Sequence, residues 1–68
     1  MLTVLRIGHK VRQIRKRNFL TQGELADKAG IGINTIIRIE RNQVEPQGRT
    51  IRKLAAALDV KPRDLLED

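Results

Sequence analysis

Residues 21–40 (TQGELADKAGIGINTIIRIE) constrain the fold more than any other part of the chain. Thr21 and Glu24 have the spacing of a capping box, in which each side chain accepts a hydrogen bond from the other residue's backbone amide at the start of a helix. Apolar residues then recur at helical spacing as far as Gly30, which suits the end of a helix because glycine adopts a positive φ without side-chain strain. A second helical pattern covers about residues 32–41. The stretch therefore predicts two short helices joined by a tight turn.

The two predicted helices and their turn resemble the helix-turn-helix of the lambda-repressor/Cro-like family, also called the Xre family. The matching residues are Leu20-Thr21-Gln22, Glu24-Leu25-Ala26, Lys28-Ala29-Gly30-Ile31, Ile36 and Ile39-Glu40. The likeness extends outward over residues 7–15 and 54–66. It implies an all-α fold, a compact five-helix domain spanning residues 1–68, in which helices 2 and 3 form the helix-turn-helix at about residues 21–41. The second helix of such a motif can lie in the major groove of DNA.

The composition fits a small helical protein. With 40% hydrophobic residues and a single aromatic side chain, the core must consist of leucine, isoleucine, valine and alanine, which favours helices over an aromatic-rich β-sandwich. The chain has no cysteine, so a disulfide or a thiolate metal site is excluded. No apolar run reaches the roughly 18 residues of a membrane-spanning helix, and the N-terminus lacks the pattern of a signal peptide. These features predict a soluble, cytoplasmic protein without a membrane partner.

The formal net charge is +6, and the charges are unevenly distributed. Residues 1–20 carry six basic side chains and no acidic one, whereas residues 54–68 carry two basic and four acidic side chains. A basic body of this kind favours a polyanionic partner, although charge alone is equally consistent with a solvated surface. The helix-turn-helix pattern makes double-stranded DNA the expected polyanion.

Helix 1 is predicted from Ile7, Val11 and Ile14, which lie at i, i+4 and i+7 and form one apolar stripe. It ends near Asn18 and Phe19, where the family usually has glycine at the second position. Asn18 is expected to adopt the left-handed conformation instead, which leaves a turn that is either shifted by one residue or slightly strained. Phe19 is expected to pack at the edge of the core. Before this helix, the apolar segment MLTVL is open to three interpretations. The segment can form a short strand, an exposed dimerisation arm, or an extra helical turn. We favour the helical turn.

Helices 4 and 5 are predicted from the same kind of pattern. Apolar residues spaced i, i+3, i+4 and i+7 from Ile51 onward place helix 4 at about residues 49–58. Pro62 suits the first turn of helix 5, where a missing amide hydrogen costs nothing. Leu65 and Leu66 are expected to close the core.

Helix 3 has two distinct faces when its residues are placed 100° apart. Ile36, Ile39 and Glu40 cluster on one side and are predicted to face the core. The other side carries aliphatic, polar and basic residues together, which suits a groove in DNA better than a core. Asparagine can pair bidentately with adenine, arginine with guanine, and an aliphatic side chain can contact a thymine methyl group. The predicted base-contacting residues are Ile33, Asn34, Ile37 and Arg38. The alternative is that Ile33 folds back as a hydrophobic staple and Ile37 contacts a partner protein.

Other positions acquire predicted roles from the family resemblance. Gln22, at the start of helix 2, corresponds to a phosphate contact, and the helix amides also favour an anion there. Gly32 stands where the family often has serine or threonine, so it supplies no hydroxyl to a phosphate or base. The residues expected to contact the DNA backbone are Gln22, Gly32, Thr35, Arg41, Asn42 and Arg49. The resemblance also implies a structural ion pair between Arg15 and Glu40, and a charge on the core side of helix 3 needs such a partner.

These patterns predict a sequence-specific DNA-binding transcriptional regulator that binds a pseudopalindromic operator as a homodimer. Repression is commoner than activation in the family. The dimer contact is expected from residues 1–5, from the loop at Val44, or from the end at Leu65 and Leu66. The alternative is a protein-interaction module, such as an antitoxin or an adaptor, that uses the isoleucines of helix 3 as an apolar patch. The sequence is consistent with a complete small regulator and with one domain of a larger protein.

Catalysis and cofactor binding are not expected from this sequence. His9 is the only histidine, and the chain has no second imidazole or thiol that could share a metal with it. No His–carboxylate pair or Walker-type loop is present, and the carboxylates have structural or solvated interpretations. We therefore predict no enzymatic activity, no metal site and no small-molecule cofactor.

Overall fold

The computed structural model describes residues 7–66, which fold into five α-helices with no β-strand among them. The helices are α1 (Gly8–Arg17), α2 (Gln22–Ala29), α3 (Ile33–Glu40), α4 (Gly48–Leu58) and α5 (Pro62–Leu66). The predicted all-α fold, with a helix-turn-helix formed by α2 and α3, is confirmed. The predicted ends of α3 and the predicted start of α4 are each one residue from the observed positions. The interpretations of residues 1–5 lie outside the described residues.

The start of α2 is fixed by the capping box that the sequence predicts. Thr21 Oγ1 accepts a hydrogen bond from the Glu24 amide at 3.0 Å, and Glu24 Oε1 accepts one from the Thr21 amide at 2.8 Å. The backbone and side-chain hydrogen bonds from Thr21 lower the pKa of Glu24, because they stabilise the ionised carboxylate. The box satisfies two of the amides that a helix start leaves unpaired. It thereby sets the position of Gln22, the first residue of α2.

Helices α1 to α4 all end with one residue in the left-handed conformation. The amide of the following residue then donates to the carbonyl five residues earlier, which is the pattern of a Schellman motif. The four left-handed residues are Phe19, Gly30, Asn42 and Asp59. The four hydrogen bonds are 2.8–3.1 Å long and run from Leu20 to Arg15, Ile31 to Ala26, Gln43 to Arg38 and Val60 to Ala55. Glycine, asparagine and aspartate tolerate this conformation, whereas a phenylalanine in it costs about 1–2 kcal/mol.

Two predictions for the turn between α1 and α2 are wrong. The left-handed residue is not Asn18, whose φ is −90°, but Phe19, whose φ is 58°. The physical reason is a long-range contact, because Asn18 Nδ2 donates to the Leu58 carbonyl at 3.2 Å and holds Asn18 at the end of α1. The side chain of Phe19 also does not pack at the edge of the core, since it is 92% exposed. The strain of this turn therefore falls on a solvent-exposed aromatic residue.

The hydrophobic core draws side chains from all five helices. Its most deeply buried large side chains are Val11, Leu25, Ile36, Ile39, Leu54, Leu58 and Leu65. The prediction that Leu66 closes the core with Leu65 is wrong, since Leu66 is 48% exposed. Adjacent residues of a helix point about 100° apart, so α5 can bury only one of the two. The core holds the inner side of α3 and leaves its outer side to solvent.

Candidate nucleic-acid interface

Helix α3 presents to solvent the face that the sequence assigns to DNA. Ile36 and Ile39 are 0% and 1% exposed, so the inner face of the helix is buried. We define the outer face of α3 as Ile33, Asn34, Thr35, Ile37 and Arg38, of which only Ile37 is half-buried and the rest are exposed. No acidic residue lies in the first turn of α3, and Arg38 lies in its last turn. The outer face is therefore amphipathic, and its only charge is positive.

The turn before α3 brings the outer face next to the start of α2. Gly30 closes α2 in the left-handed conformation, at φ 67° and ψ 37°. Gly32 then starts α3 with extended backbone and no side-chain cap. A Cβ atom on Gly23 would lie 3.7 Å from Ile33 Cδ1. Ile33 thus leans over the first turn of α2 while remaining 47% exposed, so the two helices share one surface here.

A buried ion pair fixes the end of α3 against α1. Arg15 Nε donates to Glu40 Oε2 at 2.6 Å, and Arg15 Nη2 donates to Glu40 Oε1 at 3.0 Å. The two side chains are 10% and 4% exposed. Arg15 Nη1 also donates to the Leu20 carbonyl at 2.8 Å. The ion pair that the sequence predicts is thus present, in the bidentate geometry that makes such pairs specific.

Gln22 belongs to the same hydrogen-bond network. Its Nε2 atom donates to Glu40 Oε1 at 3.2 Å, and the residue is half-buried. Glu40 therefore accepts hydrogen bonds from both α1 and α2, so the carboxylate joins three helices at one point. The sequence predicts a phosphate contact for Gln22, but it gives no sign of this bond. The consequence is that Gln22 is oriented by Glu40 before any ligand is bound.

A second close contact joins the C-terminal end of α3 to the start of α1. The Gly8 amide donates to Asn42 Oδ1 at 3.1 Å. A Cβ atom on Gly8 would lie 2.7 Å from the carbonyl oxygen of Glu40 and 2.8 Å from Asn42 Oδ1, and still closer to the carbonyl oxygen of Ile39. Only glycine fits this contact without displacing backbone. Asn42 therefore has a structural role that the sequence does not indicate.

A polar depression opens between α1, α2 and the end of α3. It is lined by Arg12, Arg15, Gln22, Glu40 and Arg41. Arg12 and Arg41 are exposed, whereas Arg15 is engaged by Glu40. Within residues 7–66, the pair of Arg15 and Glu40 is the only ion pair. The solvent-exposed positive charge of the depression therefore comes from the guanidinium groups of Arg12 and Arg41.

The predicted DNA-contacting residues lie on the outer face of α3, in and beside the depression, and on α4. Gln22 and Arg41 line the depression, next to the outer face of α3. Asn42 follows directly, and Arg49 lies exposed in the first turn of α4. Arg12 also lines the depression, although the sequence assigns it no contact with DNA. The DNA contacts that the sequence does assign stay predictions.

Among residues 7–66, the His, Asp and Glu side chains include no group of three or more that could hold a metal ion. Every buried side-chain nitrogen or oxygen in residues 7–66 has a hydrogen-bond partner. None of the helices in the same range has the length and apolar character required to cross a membrane.

Comparison with known proteins identifies relatives of this chain. A helix-turn-helix family model matches residues 11–65. The transcriptional regulator SinR of Bacillus subtilis is 38% identical over 63 residues, which cover 91% of this chain and 57% of SinR. The chain therefore spans little more than half the length of that relative.

Two solved structures share the fold. The biofilm regulator SinR in complex with DNA superposes with a TM-score of 0.86 at 37% identity, covering 90% of this chain and 98% of that one. The P22 c2 repressor in complex with a synthetic operator gives a TM-score of 0.83 at 29% identity and covers 97% of both chains. By its helix order, its capped α2 and these likenesses, the chain belongs to the helix-turn-helix family, in the lambda-repressor/Cro-like group.

Proposed function

We propose that this protein is a sequence-specific DNA-binding transcriptional regulator that places α3 in the major groove. The observation that carries the proposal is the outer face of α3, where aliphatic, amide and guanidinium groups are exposed side by side. Ile33 is 47% exposed beside the exposed Asn34 and Arg38, and this mixture of groups suits the edges of base pairs in a groove. The likeness to SinR, solved with DNA, and to the P22 c2 repressor, solved with an operator, supports the same function.

The outer face of α3 has the chemistry to distinguish base pairs. Arg38 can donate two hydrogen bonds to guanine, and the amide of Asn34 can donate and accept at adenine. Ile33 and Ile37 can pack on thymine methyl groups. Each good bidentate contact discriminates against the wrong base by about 1–3 kcal/mol. The proposed readout therefore rests on two hydrogen-bonding residues flanked by two aliphatic ones.

Contacts to phosphates would fix the position of α3 on the duplex, since these contacts set register and carry no sequence information. The residues proposed for them are Gln22, Gly32, Thr35, Arg41, Asn42 and Arg49. Gln22 is oriented by its bond to Glu40, and Asn42 by its bond to the Gly8 amide. Preorganised contacts of this kind bind with less loss of side-chain entropy. The network around Glu40 thus links the phosphate contacts to the base-reading helix.

The proposed regulator acts as a homodimer on a pseudopalindromic operator, because helix-turn-helix proteins read two half-sites about one helical turn apart. Val44 and Leu66 are 37% and 48% exposed, so two of the three predicted dimer contacts offer apolar surface. We propose repression as the mode of action, by analogy with the P22 c2 repressor. A regulator of this kind works in the cytoplasm, where it meets the chromosome, and needs neither catalysis nor a cofactor.

Replacing Asn34 or Arg38 with alanine tests the proposed readout. We expect each change to weaken binding to the cognate site by about 1–3 kcal/mol and to have little effect on binding to random duplex DNA. The reason is that a base contact contributes only where the correct base is present. Fluorescence anisotropy titrations of labelled cognate and random duplexes at one salt concentration measure both quantities.

The matched control for Arg38→Ala is Arg52→Ala, which removes an exposed arginine from α4. It lowers the net charge equally and should not change the ratio of cognate to random affinity. If Arg38→Ala weakens binding to both duplexes by the same factor, Arg38 contacts the backbone and the readout role is wrong.

A further inference from the structure

We infer that Arg12 and Arg41 form a phosphate clamp, a paired site for the DNA backbone that extends the interface from α3 onto α1. The inference rests on the proposed function and adds to it a binding residue, Arg12, on a helix outside the helix-turn-helix. Its ligand is a phosphodiester oxygen of the strand that Gln22 contacts.

The first observation is the position of the two arginines. Arg12 and Arg41 lie 29 residues apart in sequence, yet they line the same depression. Gln22, the first residue of α2, lines it as well. A phosphate held at the start of α2 would therefore lie between side chains from α1 and from the end of α3.

The second observation is the charge of the depression. Glu40 is the only acidic residue in its lining, and Arg15 neutralises it through two hydrogen bonds. Gln22 donates a further hydrogen bond to Glu40 Oε1. The carboxylate is thus engaged from two sides, so it does not compete with an anion for Arg12 and Arg41. The net charge of the five lining residues is positive, with three arginines against one glutamate.

The third observation is the exposure of the side chains. Arg12 and Arg41 are exposed, and no carboxylate of residues 7–66 forms an ion pair with either. Guanidinium groups have the planar, multiple-donor geometry that suits phosphate oxygens. Both side chains are therefore available to an external anion, whereas the buried Arg15 is not.

The fourth observation is the relation of the clamp to the outer face of α3. Arg41 follows Arg38 by three residues, which places both on the same side of the helix axis. When the outer face enters the groove, Arg41 approaches the strand at the edge of that groove. Arg12 then extends this edge contact to α1, so the ligand proposed for both arginines is the DNA strand at this edge of the groove.

The test compares the salt dependence of DNA binding by the wild type, Arg12→Gln and Arg17→Gln. Arg17 is the matched control, because it is an exposed arginine of the same helix that does not line the depression. Binding is measured with a random-sequence duplex and with a cognate duplex, at several concentrations between 50 and 200 mM salt. Each phosphate contact contributes about 0.9 to the slope of log K against log salt. When salt rises fourfold, each phosphate contact therefore lowers the affinity by a further factor of about 3.5.

We expect Arg12→Gln to lose about 3.5-fold less affinity over this range than the wild type, equally on both duplexes. Arg17→Gln should keep the wild-type slope, and Arg12→Lys, which retains the charge, should largely restore it. Equal slopes for Arg12→Gln and the wild type, or equal reductions in Arg12→Gln and Arg17→Gln, would overturn the clamp. Failure of the wild type itself to bind either duplex would instead overturn the proposed function, so the two failures are distinguishable.

Discussion

Replacing Glu40 with alanine is expected to lower the free energy of unfolding by about 3–5 kcal/mol. The carboxylate accepts two hydrogen bonds from Arg15 and one from Gln22, and its side chain is 4% exposed. Its removal leaves the Arg15 guanidinium buried without a counter-charge, which is the costly part of breaking such a pair. For a domain of this size, 1 kcal/mol corresponds to about 4–8 °C in Tm, so we expect Tm to fall by at least about 12 °C. Thermal and urea unfolding followed by circular dichroism measure both quantities.

Two further variants separate the buried charge from a general loss of contacts. Glu45→Ala removes an exposed carboxylate close by in sequence and should change stability by less than about 0.5 kcal/mol. The double variant Arg15→Met, Glu40→Leu removes both charges, so it should recover much of what Glu40→Ala loses. A Tm for Glu40→Ala that equals the wild-type value would mean that the pair does not stabilise the fold.

Replacing Gly8 with alanine is expected to destabilise the protein by at least about 3 kcal/mol, the upper end of the cost of overpacking. The added methyl group would meet the carbonyl oxygens of Ile39 and Glu40 and the side chain of Asn42. Two of these three atoms are backbone, so relief requires α1 to move away from α3. Such a movement would also stretch the hydrogen bond from the Gly8 amide to Asn42. Urea denaturation gives the change in the free energy of unfolding.

Gly48→Ala is a close control for this prediction. Gly48 is also the first residue of its helix, but a Cβ atom there would meet nothing within 4 Å. The change should therefore be neutral or stabilise the fold by up to about 1 kcal/mol. If Gly8→Ala is as well tolerated as Gly48→Ala, the close packing of α1 on the end of α3 is not present in solution.

Local patterns in the sequence predict most of the fold. The capping box of Thr21 and Glu24 and the turn at Gly30 depend on residues a few positions apart, so their geometry is encoded locally. The faces of α3 follow from its period, because Ile36 and Ile39 lie on one side and Asn34 and Arg38 on the other. These features are enough to predict the helices, the core side of α3 and the surface proposed to bind DNA.

Contacts between residues distant in sequence account for what the sequence does not predict. Asn18 bonds to Leu58, 40 residues away, and this bond places the left-handed conformation on Phe19. Gly8 bonds to Asn42, 34 residues away, and no local pattern indicates it. Such contacts depend on how complete helices pack together. The same is true of the depression that Arg12 and Arg41 both line.

The outer face of α3 is proposed to read a DNA sequence, and selection of binding sites from a randomised duplex pool tests this readout most directly. The selection is made with folded protein at near-physiological salt, because affinities for DNA depend steeply on salt. We expect a palindromic site with half-sites about one helical turn apart to be enriched. Enrichment of a single half-site would support base readout by α3 and contradict the dimer. Enrichment of no sequence would contradict base readout by α3 and favour a protein partner for the isoleucines of this helix.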